Sequence, residues 1–451
     1  MLRRRHTTTR LRAAALVTAL ATAVSGGALA APVSAAQGSS HDPAQGFYQP
    51  PAQLPAGNGD LIKAEPFPLA GAIPAIPGAE ALTDQATPFS TDAHRIMYRS
   101  NGARNQPVGV TGAYLQPRAP WTGGGTRPLV VMAPGTVGQG DACSPSKAFQ
   151  NIANVETDPL SVGVGYEIIQ AYALLSRGYA VAVTDYEGLG TPGVHTYVHR
   201  EASARAVLDL ARAASKVPGA DIGPSPRTVF TGYSQGGGSA AAAAELQPTY
   251  APDVDLVGTA ANSPPADLLA TLEKVDGTAI AGVIGYALNS LSEGDPVLKE
   301  RLDVHLNEEG QRMLRATSTQ CIGETAFQFG FHRTSQYTKT GRSAIELVRE
   351  DPAALEIADH QRIGRLKPTT PVRVLSVAND DVVPGPQSLQ LGRDWCALGA
   401  TVQMDVDHSP PVAPGWVINH GVPMLTGLPA TVQYLGDRID GRPAPSNCGT
   451  Y

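Results

Sequence analysis

The chain has 451 residues, of which 42% are hydrophobic and 16% charged, so it can bury a large globular core and does not have the composition of a fibrous or disordered protein. Its formal net charge is −6. Removal of the first 36 residues would make the charge −11, because five arginines and no acidic residue lie there. An acidic chain repels phosphate backbones, so nucleic acid is excluded as an expected partner.

The first 36 residues have the layout of a secretory signal peptide. An arginine-rich start precedes an uncharged stretch over residues 13–30, and small residues allow cleavage after Ala30 or near Ala35. The stretch is rich in Ala, Thr and Gly, which favours cleavage over a membrane anchor, and no other segment is apolar enough to span a bilayer. The sequence therefore predicts a secreted protein without a stable membrane span.

The remainder of the chain predicts an α/β fold. Residues 37–88, rich in Pro, Gly and Ala, are expected to form an extended arm. Short apolar runs then alternate with segments of helical spacing, which predicts a mostly parallel central sheet with helices on both faces. The predicted strands are residues 94–99, 108–115, 128–132, 179–184, 228–231, 256–261, 372–378 and 402–406. The predicted helices are residues 166–176, 199–214, a Gly/Ala-rich segment ending at Leu246, and residues 432–439.

A long interval separates the early strands from the late ones. Two further βα units would take about 60 residues, and about 80 more lie in this interval, which predicts an insertion. Residues 265–350 are expected to form a helical cap, and residues 89–264 and 351–451 the core. The uncharged segment 279–291 would either line a pocket or serve as a buried packing helix.

The sharpest motif is Gly-Tyr-Ser-Gln-Gly over residues 232–236. It follows a predicted strand and opens a predicted helix, as the G-x-S-x-G elbow of a nucleophilic serine does. The serine of such an elbow has a strained backbone, and the flanking glycines leave room for the crowded turn. Ser234 is therefore the predicted nucleophile, and the alternative is a serine in an ordinary glycine-rich turn.

A serine nucleophile needs a histidine base and an orienting acid, which follow it in the chain in this type of fold. The predicted strand 372–378 leads into Asp380 and Asp381. Asp380 is preferred because it lies at the mouth of the strand, whereas Asp381 would face solvent or help the turn. His408 and His420 follow, both as predicted loop residues. His420 is preferred because it precedes the closing helix, and His408 stays a rival.

Two backbone N–H groups are expected to receive a tetrahedral oxyanion. One belongs to Gln235, directly after the serine, and the other to Thr136, in the Gly-containing loop over residues 133–138. An ordinary glycine turn is the alternative for that loop. Asp185, which ends another predicted strand, precedes the serine in the chain and is interpreted, with Tyr186, as structural or pocket-shaping.

The four cysteines lack metal-binding spacing, and no metal or organic cofactor is expected. They are Cys143, Cys321, Cys396 and Cys448. In an exported protein they are expected to form two disulfides, for which three connectivities are open. A bond between Cys396 and Cys448 would tie the C-terminal tail to the fold and would contribute about 4 kcal/mol in the chain-entropy model.

From about residue 60 onward, the chain resembles the secretory lipase family of α/β-hydrolases. The resemblance is carried by PGTVGQGDACSPS (134–146), TDYEGLG (184–190), GYSQGG (232–237), NDDVVP (379–384) and WCALGA (395–400). It implies the α/β-hydrolase fold with a helical cap, the triad Ser234, Asp380 and His420, an oxyanion donor at Gln235, and the disulfides Cys143–Cys321 and Cys396–Cys448. The chain departs from the family pattern at Asn419 and in an inserted stretch over residues 408–418.

Together these features predict a secreted, monomeric serine hydrolase of carboxylic esters, acting on lipid or other acyl esters through an acyl-enzyme. The apolar segment 279–291 would line its acyl pocket or lid. One alternative is a peptidase of the same fold, since amide and ester cleavage use the same residues. Another is a catalytically silent binding protein that retains the pocket.

Overall fold

The computed structural model of the chain describes residues 46–69, 90–151, 153–157 and 160–451. The predicted signal peptide, residues 1–36, lies outside the described residues, as do parts of the arm predicted for residues 37–88. Within the described part of the chain, no helix is long and apolar enough to cross a membrane.

Eleven strands are found in the described residues. They are β1 Leu61–Pro66, β2 Thr91–Asn101, β3 Pro107–Pro117, β4 Leu129–Ala133, β5 Ala153–Thr157, β6 Leu160–Val164, β7 Ala180–Tyr186, β8 Thr228–Tyr233, β9 Leu256–Asn262, β10 Val372–Val377 and β11 Val402–Asp407. Nine of them form one sheet in the order β1-β2-β3-β7-β4-β8-β9-β10-β11, and β5 and β6 form a separate antiparallel hairpin. From β1 to β7 neighbouring strands pair antiparallel, and from β7 to β11 they pair parallel.

Fourteen α-helices are found in the same residues. They are α1 Pro145–Asn151, α2 Ile168–Leu175, α3 Arg200–Ala214, α4 Gln235–Tyr250, α5 Leu268–Val275, α6 Val283–Gly294, α7 Pro296–His305, α8 Glu308–Thr317, α9 Ile322–Phe329, α10 Ala344–Glu350, α11 Pro352–His360, α12 Gly385–Ala397, α13 Ile418–Thr426 and α14 Leu428–Ile439.

The central strands are buried on both faces, as a parallel sheet covered by helices requires. On β4, Leu129 and Val131 join one hydrophobic cluster, which includes residues of α3, α4 and α12, while Val130 and Met132 join a second cluster with residues of α2 and α14. Helix α4 approaches the sheet closely because it begins with glycines. A side chain at Gly237 would collide with the backbone carbonyl of Asn262. This is the α/β-hydrolase architecture predicted from the sequence.

Seven helices, α5 to α11, lie in the interval between β9 and β10. Six of them fall within residues 265–350, and helical structure continues to His360. Helix α6 begins at Val283, within the uncharged segment 279–291 and not at its first residue. The reason is local, because the N–H groups of Ala281 and Val283 close tight turns onto the carbonyls of Thr278 and Ile280.

The structure differs from the sequence prediction in several elements. Strand β1 lies in the predicted arm and pairs with β2 at the edge of the sheet, and the β5–β6 hairpin and helix α12 are unpredicted. The prediction that His420 is a loop residue is wrong, since it lies in the first turn of α13. Gly421 and Pro423 obscure this helix in the sequence, because both residues are poor helix formers.

Two disulfides join distant parts of the chain. Cys143, in a 3-10 turn after the 133–138 loop, is bonded to Cys321 at the start of α9, and Cys396 in α12 is bonded to Cys448 in the C-terminal tail. These are the pairs that the family resemblance implies. The first bond therefore links the core to the helices between β9 and β10.

Candidate active site

Ser234 lies at the sharp turn between β8 and α4. Its backbone has φ 58° and ψ −124°, a conformation that costs energy for any residue with a side chain. The turn is as crowded as the motif predicts. A Cβ at Gly232 would collide with the carbonyl of Gly236, and a Cβ at Gly236 would collide with that of Ala133. The glycines at these two positions are therefore required by the elbow.

Asp380 and His420 form a buried hydrogen-bonded pair. Nδ1 of His420 lies 2.8 Å from Oδ2 and 3.0 Å from Oδ1 of Asp380. Because a carboxylate only accepts, Nδ1 carries the proton and Nε2 is left as a base. The loop after β10 also supplies the N–H groups of Val382 and Val383 to Oδ1, each at 2.8 Å, and Ser263 donates its hydroxyl to Oδ2 at 2.7 Å.

These contacts keep Asp380 ionised. Burial by itself raises the pKa of this carboxyl, but the charge of His420 and the hydrogen bonds from His420, Ser263 and Val382 outweigh it and lower the pKa below its ordinary value. Ser263, at the end of β9, is a site residue that the sequence reasoning missed. Its only signal in the sequence is a hydroxyl residue directly after a predicted strand.

His420 lies beside the elbow. The hydroxyl of Tyr233, the residue before Ser234, donates to the backbone carbonyl of His420 at 2.7 Å, and the two rings are 5.1 Å apart. The rival histidine, His408, is exposed in the loop after β11. The structure thus brings Ser234, Asp380 and His420 to the carboxyl edge of the parallel sheet and leaves His408 at the surface.

The two predicted oxyanion donors are unengaged. Within the described residues, the N–H groups of Thr136 and Gln235 donate no hydrogen bond. The side chain of Thr136 is held by the hydroxyl of Tyr197 at 2.8 Å, and its carbonyl accepts from the hydroxyl of Tyr166 at 3.0 Å. Both amides are therefore free to receive an oxyanion, and the loop that carries Thr136 is fixed by directed contacts.

Two buried titratable residues, Glu167 and His195, contact the residues that carry or neighbour these donors, and neither was found from the sequence. Glu167 accepts the N–H of Gly135 at 2.5 Å, and burial raises the pKa of its carboxyl to about 7, an effect that this hydrogen bond partly offsets. His195 is fully buried, which lowers its pKa to about 4 and keeps it neutral. Its Nδ1 faces the carbonyl of Glu187 at 3.1 Å, so its Nε2 accepts from the side chain of Gln235 at 3.2 Å.

Asp185 and Asp381, the two other acids considered from the sequence, accept hydrogen bonds from different parts of the chain. Asp185 is fully buried and accepts hydrogen bonds from the backbone and hydroxyl of Ser146 and from the hydroxyl of Thr111, which matches a structural residue. One of the two expectations for Asp381 was that it faces solvent, and this expectation is wrong. Only 2% of its surface is exposed, and it accepts backbone N–H groups from the connection between β11 and α13 and from the first turn of α13.

An apolar cavity of about 110 Å³ extends from Ser234 into the helices between β9 and β10. None of the described residues that line it is charged. Helix α6 turns one face toward it, consisting of Val283, Ile284, Ala287, Leu288 and Leu291. Residues of α7, α10 and α11 also line it, namely Leu298, Val348, Ala354, Ile357 and Ala358. The segment predicted as 279–291 therefore contributes to the wall of this cavity.

No metal centre is evident at this edge of the sheet. In the residues that the structure describes, no group of three or more His, Cys, Asp or Glu side chains could hold a metal ion.

Comparison with known proteins places the chain in a family. The family model described as secretory lipase matches residues 153–447. Lipase A of Arthroderma benhamiae is 25% identical over 91% of this chain and 82% of its own length, and a probable inactive lipase of Mycobacterium tuberculosis is 26% identical over 84% and 82%.

Solved structures share the fold. Candida antarctica lipase A in its closed state superposes with a TM-score of 0.70 at 20% identity, covering 90% of this chain and 87% of that one. A rice cell wall degrading esterase from Xanthomonas oryzae superposes with a TM-score of 0.66 at 19% identity, covering 86% of this chain and 100% of that one. With the family model matching well over half of its length, the chain belongs to the secretory lipase family of carboxylic ester hydrolases.

Proposed function

We propose that the protein is a secreted serine lipase or esterase that cleaves acyl esters through an acyl-enzyme. Nε2 of His420 takes the proton of the Ser234 hydroxyl as its oxygen attacks the ester carbonyl, and the N–H groups of Thr136 and Gln235 receive the oxyanion. His420 then returns the proton to the departing alcohol. It next takes a proton from water, whose oxygen attacks the acyl-enzyme, and returns that proton to the Ser234 oxygen as the acid leaves, while Asp380 stabilises the imidazolium each time it forms.

The observation that carries this proposal is the Asp380–His420 pair beside a strained serine. A carboxylate that accepts from Nδ1 at 2.8 Å holds the imidazole in the tautomer that a general base needs. The backbone strain at Ser234 supports a role for this residue beyond packing, because such strain is costly and concentrates at functional sites.

The apolar cavity supports an acyl chain as the group that is bound. A wall made mostly of Leu, Ile, Val and Ala favours a hydrocarbon and offers few partners for the polar backbone of a peptide, which favours ester cleavage over peptidase activity. In this proposal the helices over residues 265–350 act as the cap on a core of residues 89–264 and 351–451. The segment α6 lines the acyl pocket from within that cap.

Export is the second part of the proposal. It is supported by the family, by the layout of residues 1–36 as a signal peptide and by the two disulfides, which persist in oxidising compartments. The enzyme would act as a monomer.

The test is hydrolysis of p-nitrophenyl esters from acetate to palmitate by protein collected after export. Ser234→Ala is expected to abolish turnover and labelling by a fluorophosphonate, whereas the exposed Ser225→Ala leaves both unchanged. Aminoacyl p-nitroanilides serve as the amide counterparts. Turnover of anilides but not esters would favour the peptidase, and a folded wild type that neither turns over nor becomes labelled would favour the silent binding protein.

A further inference from the structure

The helix that carries His420 has no cap of its own. Val417 occupies the N-cap position of α13 with a left-handed backbone, φ 68°, and its side chain cannot accept a hydrogen bond. Helix N-termini leave backbone N–H groups without intrahelical partners, and a negative charge is stabilising there. Another part of the molecule must therefore serve the start of α13.

Asp381 is the residue that serves it. Its Oδ2 accepts the N–H groups of Gly415 at 3.0 Å and Val417 at 2.9 Å, and its Oδ1 accepts the N–H of His420 at 3.2 Å. The side-chain amide of Asn419 lies 3.4 Å from Oδ2. The carboxylate is 2% exposed, so these donors replace water around its charge.

Two consecutive acids thus hold the same histidine at different atoms. Asp380 binds its imidazole at Nδ1, and Asp381 binds its backbone N–H. The backbone contact fixes the main-chain position from which the imidazole extends, whereas the side-chain contact fixes only the orientation of the ring. The His420 backbone has two further contacts, since its N–H also lies 3.2 Å from the carbonyl of Val417 and its carbonyl accepts from Tyr233. Removing the Asp381 contact would therefore leave the Asp380–His420 pair able to form, while the main chain at Gly415 and Val417 loses the carboxylate that fixes the start of α13.

The connection that Asp381 holds also contacts the segment between β9 and β10, at turns that flank its helices. The carbonyl of Gly415 accepts the N–H of Ala279, and the ring of Trp416 packs edge-on against Phe331, with 4.8 Å between centroids. Val417 keeps a left-handed backbone that a β-branched residue rarely adopts. Such a conformation persists only where surrounding contacts impose it, and Asp381 supplies the contact at Val417 itself.

From this geometry we infer that Asp381 is a positioning residue for His420. It holds the main chain at the start of α13 and thereby places the base of the proposed triad against Ser234. This inference rests on the proposed function, because it presupposes that His420 is the base. Asp381 touches no atom that reacts and does not line the apolar cavity, so we expect its effect on the rate of the chemical step and not on the binding of the acyl chain.

The experiment compares Asp381→Ala and Asp381→Asn with the matched control Asp407→Asn. Asp407 accepts the N–H of Ser409 at 2.7 Å at the other end of the same connection and contacts none of the α13 donors. A displacement of about 1 Å costs up to about 100-fold in rate, so Asp381→Ala should lower kcat about 30-fold with KM within about twofold. Asp381→Asn, which keeps one acceptor, should lower kcat about tenfold.

The rate of fluorophosphonate labelling should fall in parallel, because it reports activation of Ser234 without the acyl pocket. All measurements are made well below the melting temperature of each variant, so that a loss of stability alone leaves kcat unchanged. Wild-type kcat in folded Asp381→Ala or Asp381→Asn would overturn the inference, as would an equal loss in Asp407→Asn. Should the alanine variant not fold, the asparagine variant decides.

His420→Ala, assayed in parallel, distinguishes a failure of the proposed mechanism from a failure of the positioning role of Asp381. If His420→Ala retains activity, the proposed mechanism itself is wrong. If His420→Ala is inactive while both Asp381 variants turn over like wild type, only the positioning role is wrong.

Discussion

The carboxyl edge of the sheet and the helices between β9 and β10 approach Ser234 with different kinds of contact. At the sheet edge, polar atoms are placed by directed hydrogen bonds, such as those that Asp380 accepts from His420, Ser263 and Val382. Among the helices between β9 and β10, apolar side chains line a cavity and offer mainly van der Waals contacts. Changes at the edge should therefore alter the rate of chemistry, whereas changes in the cavity wall should alter which acyl chain is accepted.

The largest effect is expected from Asp380→Asn, which tests the role of the directed hydrogen bonds at the sheet edge. The amide cannot hold Nδ1–H and the two backbone donors as a carboxylate does, so His420 loses its base tautomer. A fall in kcat of about 10⁴-fold is expected across all acyl chain lengths. A loss confined to long-chain esters would contradict the division between edge and cavity.

The second prediction concerns stability at the sheet edge. Burial raises the pKa of Glu167 to about 7 in the folded protein, against about 4.3 for an unfolded chain. The contribution of this carboxyl to stability is therefore fully present below the unfolded value and is lost as the pH rises through about 7. Glu167→Gln, which does not titrate, should gain about 3 kcal/mol in unfolding free energy relative to wild type between pH 5 and pH 9.

Denaturant unfolding at both pH values measures this gain, and the difference at pH 5 is the internal control. A difference between variant and wild type that does not change with pH would show that Glu167 does not titrate in this range in the folded protein.

A third effect is expected from Gly135→Ala in the loop that carries Thr136. A Cβ at this position would lie 2.7 Å from the hydroxyl of Tyr166 and 3.2 Å from the carboxyl of Glu167, so either this hydroxyl, which donates to the carbonyl of Thr136, or the loop itself must shift. Misplacing one oxyanion donor should lower kcat about 100-fold with little change in KM. Gly421→Ala, on the helix of His420, meets nothing within 4 Å and is the matched control. Equal kcat values for both variants would argue against Thr136 as a donor.

The smallest effect is expected from the part of the cavity wall that α11 supplies. Ala354→Phe would place a large side chain in this wall, so the cavity should accept only shorter acyl chains. We expect kcat/KM for the palmitate ester to fall about tenfold while that for acetate stays unchanged, a change of about 1.4 kcal/mol. Glu356→Phe, on the exposed side of the same helix, should change neither. A fall for acetate as large as for palmitate would remove the distinction between edge and cavity.

Much of the fold could be predicted because the relevant signals are local. Apolar runs bounded by turn residues marked β4, β7, β8 and β10 to within a few residues, and their burial on both faces explains why they lack polar alternation. Strand β1 was missed because its Pro- and Gly-rich surroundings carry no periodic pattern. It exists because β2 offers an unpaired edge.

The candidate site divides in the same way. The elbow at Ser234 was visible because glycines must flank a crowded strand-to-helix turn. The preference for Asp380 over Asp381 and for His420 over His408 agrees with the hydrogen bonds found. The role expected for Asp381, to face solvent or help the turn, does not include its hydrogen bonds to the start of α13. Nothing in the local sequence indicates that a buried carboxylate will cap a helix that begins 37 residues further on.

By itself, the sequence determined the central strands and the helices that follow them from β4 to β8, the turn that carries Ser234, and the presence of an acid and a histidine after it. These features depend on neighbouring residues, whose spacing decides backbone conformation and burial. Only the tertiary structure decided which donors meet Asp381, which acid supports the loop of Thr136 and which helices enclose the cavity. Those contacts join residues far apart in the chain, and they form only when packing of the sheet and its helices brings them to one edge.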